Sequence, residues 1–384
     1  MSLTHTEDVI VSSVSGPSEA RERLKPQYIN VRQTSGTLCE PLAPEDMVVQ
    51  SMPDASPAKW HLAHTTWFFE VTVLREARPG SPWFNEAFNY MFNSYYNTVG
   101  EQFPRPRRGL ITRPTVEEVW NYRADVDRRM LEFFDTADDA ELERWAPVIE
   151  VGLHHEQQHQ ELLVTDIKHA LAQNPLFPVY RDRAVEPSID VPALEWHRFE
   201  RGLYPIGHGG GGFSYDNEGP RHDALVHGFD LASRLVTSGE YAEFIADGGY
   251  RRPELWLSEG WGVVQTEGLQ APLYWLERDG QWLQFTLSGL RPVLSSEPVC
   301  HVSYFEADAY ARWAGARLPS EFEWEVAAVG LPIEGHFVES GELHPRAATA
   351  SAGLQQMFGD TWEWTSSSYA PYPRYRPPEG ALGE

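Results

Sequence analysis

The stretch TADDAELERWAPVIEVGLHHEQQHQELLVTDIKHALAQNP, residues 136–175, is the longest helical signal in this chain of 384 residues, and it does most to fix the fold. It runs from an acidic first turn to an Asn-Pro stop, with apolar residues three and four apart throughout. Pro147 is expected to kink it. Helical segments are also predicted at about 17–36, 57–77 and 115–135, and with 139–173 they make the element count of a four-helix bundle. In the second of these, Ser56 is the expected N-cap and Pro57 the first helical residue, followed by AKWHLAHTTWFFEVTVLREA without a breaker.

Near residue 174 the texture changes. NPLFPVYRDRAVEPSIDVP is Pro-rich and irregular, as expected of a linker. Beyond about residue 195 the chain is rich in Gly, Trp and short β-type runs, with GHGGGGF as a flexible loop and two short helical signals, SGEYAEFIADGG and SYFEADAYARWAG. The fold class expected is therefore multidomain, an α bundle followed by a loop-rich α+β domain.

Composition narrows the partners. The chain carries 31 basic and 56 acidic residues, a net charge of −25, which argues against nucleic acid and anionic membranes and favours small or cationic substrates. Two cysteines, Cys39 and Cys300, cannot build a disulfide framework, and no signal peptide or run of about 18 apolar residues is present. The expected location is the reducing cytoplasm.

The chemistry concentrates on the long helix. His155 and His159 are four residues apart, so their side chains differ by only about 40° around the helix and can grip one ion. His64, in KWHLAHTTWFFE, is the third candidate ligand. The same residues read as HEQQH, a match to H-E-x-x-H, in which two histidines hold zinc and Glu156 is the general base of a hydrolase. That alternative lacks the expected third ligand shortly downstream. Between the bundle helices, FNYMFNSYYNTVGEQFPRPRRGLITRPT carries Tyr95 and Tyr96 in a loop, where a phenol can donate a proton or simply pack. Arg105, Arg107 and Arg108 form a basic run suited to a substrate carboxylate, or to the protein's own acids.

The motifs KWHLAHTTWFFE, FNSYYNTVG, RPRRGLITRP and HHEQQHQELL, in that order, resemble the DinB-like helical bundle of the iron-dependent sulfoxide synthases of ergothioneine biosynthesis. VTSGEYAEFI, PVCHVSYFEADAYARWAGARLPSEFEWEVAA and MFGDTWEWTSSSY resemble the formylglycine-generating-enzyme, or sulfatase-modifying-factor, fold, a C-type-lectin-like domain. The resemblance implies a DinB-like bundle over 1–175, a linker over 176–198 and a sulfatase-modifying-factor domain over 199–384. It implies Fe(II) held by His64, His155 and His159, with His61 and His154 not ligands and dioxygen as co-substrate. Gln158 is implied to bind the imidazole of hercynine (Nα-trimethylhistidine), and Tyr95 and Tyr96 match the active-site tyrosines of the branch that takes free cysteine. Arg105 is the implied grip on the cysteine carboxylate, and Asp54 on its amine. The implied reaction joins cysteine sulfur to imidazole C2 and oxidises the sulfur to a sulfoxide, with a tyrosine proton deciding between this outcome and thiol dioxygenation. A related synthase using γ-glutamylcysteine, a selenosugar or histidine itself stays open beside it, as does a non-enzymatic lectin-like binding module.

Two departures from the family pattern stand out. The family's domain continues past the P-Y-P segment, here Pro371–Pro373, into a closing region that this sequence does not show, so the C-terminal domain is expected to be incomplete. Neither Cys39 nor Cys300 can stand in for the copper-binding cysteines of formylglycine-generating enzymes. Trp324, Trp362 and Trp364 are expected as core aromatics, and Glu321, Glu323 and Glu325 in turns or buried hydrogen-bonding networks.

Overall fold

A computed structural model describes residues 17–184, 189–380 and 383. Residues 185–188 of the expected linker and the outermost residues of both expected domains lie outside the described residues. The chain divides into two compact units, one made of Met1–Leu176, Gly209–Asp216 and Arg376–Glu384, the other of Phe177–His208 and Asn217–Tyr375.

In the first unit the expected helices are α1 (Pro17–Cys39), α2 (Ala58–Phe69), α5 (Val116–Thr136) and α6 (Asp139–Ala172). A π-helical turn, Glu70–Leu74, joins α2 to the short α3 (Arg75–Ala77), and α4 (Phe88–Phe92) follows. Thr115 and Glu118 close a reciprocal capping box on α5, and Asp138 caps α6 by accepting the Glu141 N–H. The α6 helix runs unbroken through Pro147. Ser56 does not cap α2. Pro57 takes the cap position and its carbonyl receives the N–H groups of Trp60 and His61, while Ser56 gives its own N–H to Asp166 and accepts Arg108 on its hydroxyl.

The α2 helix lies at the centre, packed on α5 and α6, and every residue from Ala58 to Phe69 is buried. Such a helix must find a partner for each polar group it carries, because an unpaired one costs about 1–3 kcal/mol. Lys59 donates to the carbonyls of Ile111 and Pro114, Trp60 to that of Met91, and Thr66 to that of Leu62 while accepting from Arg32. His61 and His64 find theirs on or near α6, which places the histidines where the two helices meet.

Gly152 sets how close that meeting is. A Cβ built there would stand 2.7 Å from Cε1 of Phe69 and 2.8 Å from Cε1 of Phe68, both rings fully buried on α2. Gly152→Ala is therefore expected to destabilise the unit by about 1–3 kcal/mol through overpacking and to weaken metal uptake by moving His64 away from α6. Denaturant unfolding and a metal titration on the same variant check both; unchanged values in both would refute the close-packing argument.

The second unit is built from short elements. β1 (Trp196–Phe199) pairs antiparallel with β4 (Phe229–Ala232), β2 (Gly202–Ile206) with β3 (His222–Val226), and β5 (Trp275–Arg278), β6 (Gln281–Thr286) and β7 (Gly289–Pro292) form a three-stranded antiparallel sheet. Four helices accompany them among the described residues: α7 (Ser238–Ala246), α8 (Ser258–Glu267), α9 (Tyr304–Trp313) and α10 (Glu321–Ala328). The sequence reading found only α7 and α9. α10 starts with a Ser320–Glu323 capping box, as α7 and α9 start with Thr237–Glu240 and Ser303–Glu306. Glu323 also pairs with Arg317, Glu321 accepts the Tyr372 hydroxyl and Glu325 accepts the Gly207 N–H, so these acids belong to networks. Trp324 is half-buried, but Trp362 and Trp364 are exposed and are not core aromatics; Trp364 reaches the Val302 carbonyl only with its indole N–H. Among the described residues no helix is long and apolar enough to cross a membrane.

Candidate metal centre

One ring nitrogen each from His64 on α2 and His155 and His159 on α6 lie within 4.8 Å of one another. Nε2 of His64 is 3.1 Å from Nε2 of His155. Two nitrogens bound at right angles to one metal at about 2.1 Å are roughly 3 Å apart, so this spacing already suits a shared ion. The His64 ring is stacked between Trp60 and Trp67, at centroid distances of 4.7 and 5.6 Å, and its Nδ1–H donates to the Phe92 carbonyl at 2.6 Å. That bond fixes the tautomer and leaves the Nε2 lone pair free.

The electrostatics favour neutral rings. Burial pulls the pKa values of His64 and His159 well below the ordinary histidine range, with mutual repulsion of the rings adding to it. Burial brings His155 to about 4. Three neutral imidazoles converge, and Nδ1 of His155 is buried with no hydrogen-bond partner among the described residues. A site that offers converging lone pairs but no internal acid to satisfy them fits a divalent metal.

Glu156 stands beside His155 in sequence but turns into the bundle. Its carboxylate, fully buried, accepts Arg32 at 2.9 Å, Arg123 at 2.5 Å and the Ser35 hydroxyl at 2.6 Å. Burial alone would raise its pKa; Arg123 and Arg32 more than reverse this and hold it at about 2. Such a carboxylate is a structural anion tying α1, α5 and α6 together, and it is a poor general base. The geometry thus opposes the zinc hydrolase alternative.

The two adjacent tyrosines point in different directions. Tyr95 has a positive φ of 67°, its ring is exposed and its hydroxyl accepts Arg105 at 2.5 Å. Tyr96 packs against Trp67 and Phe68, and its ring centroid is 6.5 Å from that of His155. Burial raises its pKa to about 12, so it keeps its proton at neutral pH. The loop is fixed by buried Asn93, which donates to the carbonyls of Tyr96 and Gly100, and by Gln102, which accepts the Tyr95 N–H. Arg105 also holds the Asp54 carbonyl, so Asp54, Tyr95 and Arg105 form one cluster. Gln158 is exposed on α6, about 60° from His155 around the helix.

Three residues near the triad take places that the sequence did not indicate. Arg108 is the buried member of the arginine run; it lies over the Trp60 ring at 3.4 Å and bonds the hydroxyls of Ser56 and Ser94. Its cation thus backs the indole that stacks on His64. His154 stacks on Phe213, just after the glycine run, at 3.8 Å, and His154 and Gln158 are one turn apart on α6. His61 bonds both His159 and Asp166. The one available signal was spacing: Asp166 follows His159 by seven residues, two turns along the same face.

Comparison with known proteins finds two family matches in succession along the chain. A DinB superfamily profile matches residues 27–163, and a sulfatase-modifying factor enzyme 1-like domain matches residues 199–352. Hercynine oxygenase from Mycolicibacterium smegmatis is 32% identical over 93% of this chain and 86% of its own length. Its counterpart from Mycobacterium tuberculosis is 30% identical over 86% of this chain and 81% of that protein. The formylglycine-generating enzyme of Mycobacterium tuberculosis is 29% identical over 44% of this chain and 73% of that protein, so that similarity spans less than half of this chain.

Proposed function

The chain belongs to the hercynine oxygenase family, and from that premise we propose that it is a non-haem Fe(II)- and dioxygen-dependent sulfoxide synthase of ergothioneine biosynthesis. It joins the sulfur of cysteine to imidazole C2 of hercynine and yields hercynylcysteine sulfoxide. The observation that carries this reading is the convergence of three neutral imidazoles, His64 buried and His155 and His159 half-buried. These three would hold the iron, which supplies the one-electron chemistry that lets dioxygen react with a thiol. Overall, a thiol, an imidazole C2–H and dioxygen give the sulfoxide and one water, so two protons end in water.

The residues around the triad then take definite roles. Arg105, held by the Asp54 carbonyl and the Tyr95 hydroxyl, keeps two further N–H groups for the cysteine carboxylate, with the Asp54 side chain for the amine. Gln158 meets the substrate imidazole. Tyr96, protonated and against His155, delivers a proton at the reacting oxygen, while Tyr95 shapes the cysteine site. The trimethylammonium group of hercynine is accommodated by a strongly acidic chain rich in aromatic faces.

Tyr96→Phe is expected to divert most turnover from sulfoxide to cysteine sulfinate, with oxygen uptake retained, whereas Tyr95→Phe raises KM for cysteine several-fold and leaves the product ratio near wild type. Mass spectrometry of the two products checks this; reversed effects would exchange the roles. The reading as a whole is tested by loading the protein with Fe(II) under anaerobic conditions and adding hercynine, thiol and air. Coupled sulfoxide with cysteine supports it. Sulfoxide formed only with γ-glutamylcysteine moves the chain to the related branch, and no coupling with any thiol refutes the reading.

A further inference from the structure

The two helices that carry the metal histidines are also joined behind the site, by a chain of three side chains. His61, one turn before His64 on α2, is 3% exposed; its Nδ1 lies 2.8 Å from Nδ1 of His159 and its Nε2 lies 2.9 Å from Oδ2 of Asp166. The same Asp166 oxygen receives the backbone N–H of Ser56 at 2.8 Å, and Asp166 is on α6 two turns beyond His159. The fold therefore fixes the carboxylate from one side, the imidazole from two, and aims the end of the chain at a metal ligand.

We propose that His61 and Asp166 are positioning residues of the metal centre, a relay that sets which nitrogen of His159 is offered to the metal and how its ring is oriented. The proposal rests on the metal-centre reading above. The direction of each bond follows from simple donor and acceptor rules. An ionised carboxylate carries no hydrogen and only accepts, here from the Ser56 N–H, so Nε2 of His61 must bring the hydrogen to it. A neutral imidazole then has only a lone pair left at Nδ1. Two ring nitrogens 2.8 Å apart share one hydrogen, so His159 donates from Nδ1 and bares Nε2. Thus the relay does for His159 what the Phe92 carbonyl does for His64. A carboxylate at the far end also makes His159 a more basic ligand.

The test uses Co(II) as probe, with affinity and the visible absorption of the bound ion as readouts. His61→Leu and Asp166→Leu remove the relay. Asp166→Asn keeps an oxygen able to accept both N–H groups. The Leu variants are expected to bind Co(II) about 10–100-fold more weakly than wild type with shifted absorption bands, and Asp166→Asn to stay within about threefold. Folded Leu variants that bind with wild-type affinity and spectrum overturn the relay alone. Wild-type protein that takes up no Co(II) overturns the metal centre and the relay with it. Where the Leu variants fail to fold, ¹⁵N-histidine NMR of the Zn(II)-loaded wild type decides: hydrogen on Nδ1 of His159 and Nε2 of His61 supports the relay, and the opposite tautomers overturn it.

Discussion

Replacing His64 with alanine is expected to abolish both metal retention and dioxygen-dependent coupling. The other two ligands share one helix face, whereas His64 alone comes from α2, so without it the ion is held from one side only. Loss of an outer partner of a metal ligand already costs about 10–100-fold in affinity or activity, and loss of a ligand must exceed that. The substitution also removes a ring stacked between two indoles, so the variant is first checked for a cooperative transition of the metal-free protein. His155→Ala, whose ring packs on Phe68 rather than between indoles, serves as the second variant. Metal content after gel filtration and oxygen consumption with hercynine and cysteine are the measurements. Coupling retained by a folded His64→Ala would refute the assignment of the centre, and retained coupling with the metal removed by chelation would refute iron dependence.

What could be read beforehand divides along a physical line. Periodicity and caps are local, so the long helices were legible to within a few residues, and the His155–His159 pair followed from helical geometry alone. The contact of His64 with His155 spans 91 positions, so His64 could be named as a candidate ligand but no spacing rule tied it to the pair. The directions of the two tyrosines go with a left-handed backbone at Tyr95 and with the Asn93 and Gln102 bonds that hold the loop, none of which a sequence pattern announces. α8 is as long as α9 but starts after Leu257 without a side-chain cap, whereas the shorter α10 had its Ser320–Glu323 box there to be seen. Trp362 and Trp364 show the opposite error, hydrophobicity taken for burial. His61 was set aside as a non-ligand, and its partners became visible only once α2 lay against α6.

Glu156 gives the largest expected effect on stability, and it separates the metal-centre reading from the hydrolase one. A general base of a zinc enzyme is dispensable for folding, and its amide variant should fold normally but not turn over. Here the carboxylate neutralises two guanidiniums that are themselves buried, Arg32 at 5% and Arg123 at 3% exposure. In Glu156→Gln one amide oxygen can accept only part of what Arg32, Arg123 and Ser35 donate, and the amide N–H₂ faces a donor. Breaking a buried ion pair from one side costs about 3–5 kcal/mol, because charge is left without compensation. Glu156→Gln is therefore expected to lower the stability of the helical unit by about that amount, measured by denaturant unfolding followed through helix content. Replacing all three members together, Arg32→Met, Arg123→Leu and Glu156→Leu, should recover much of the loss, since no buried charge of the triad remains; the partly exposed Asp127, which Arg32 also holds, limits the recovery. A Glu156→Gln protein as stable as wild type but without activity would contradict the structural role and return the residue to catalysis.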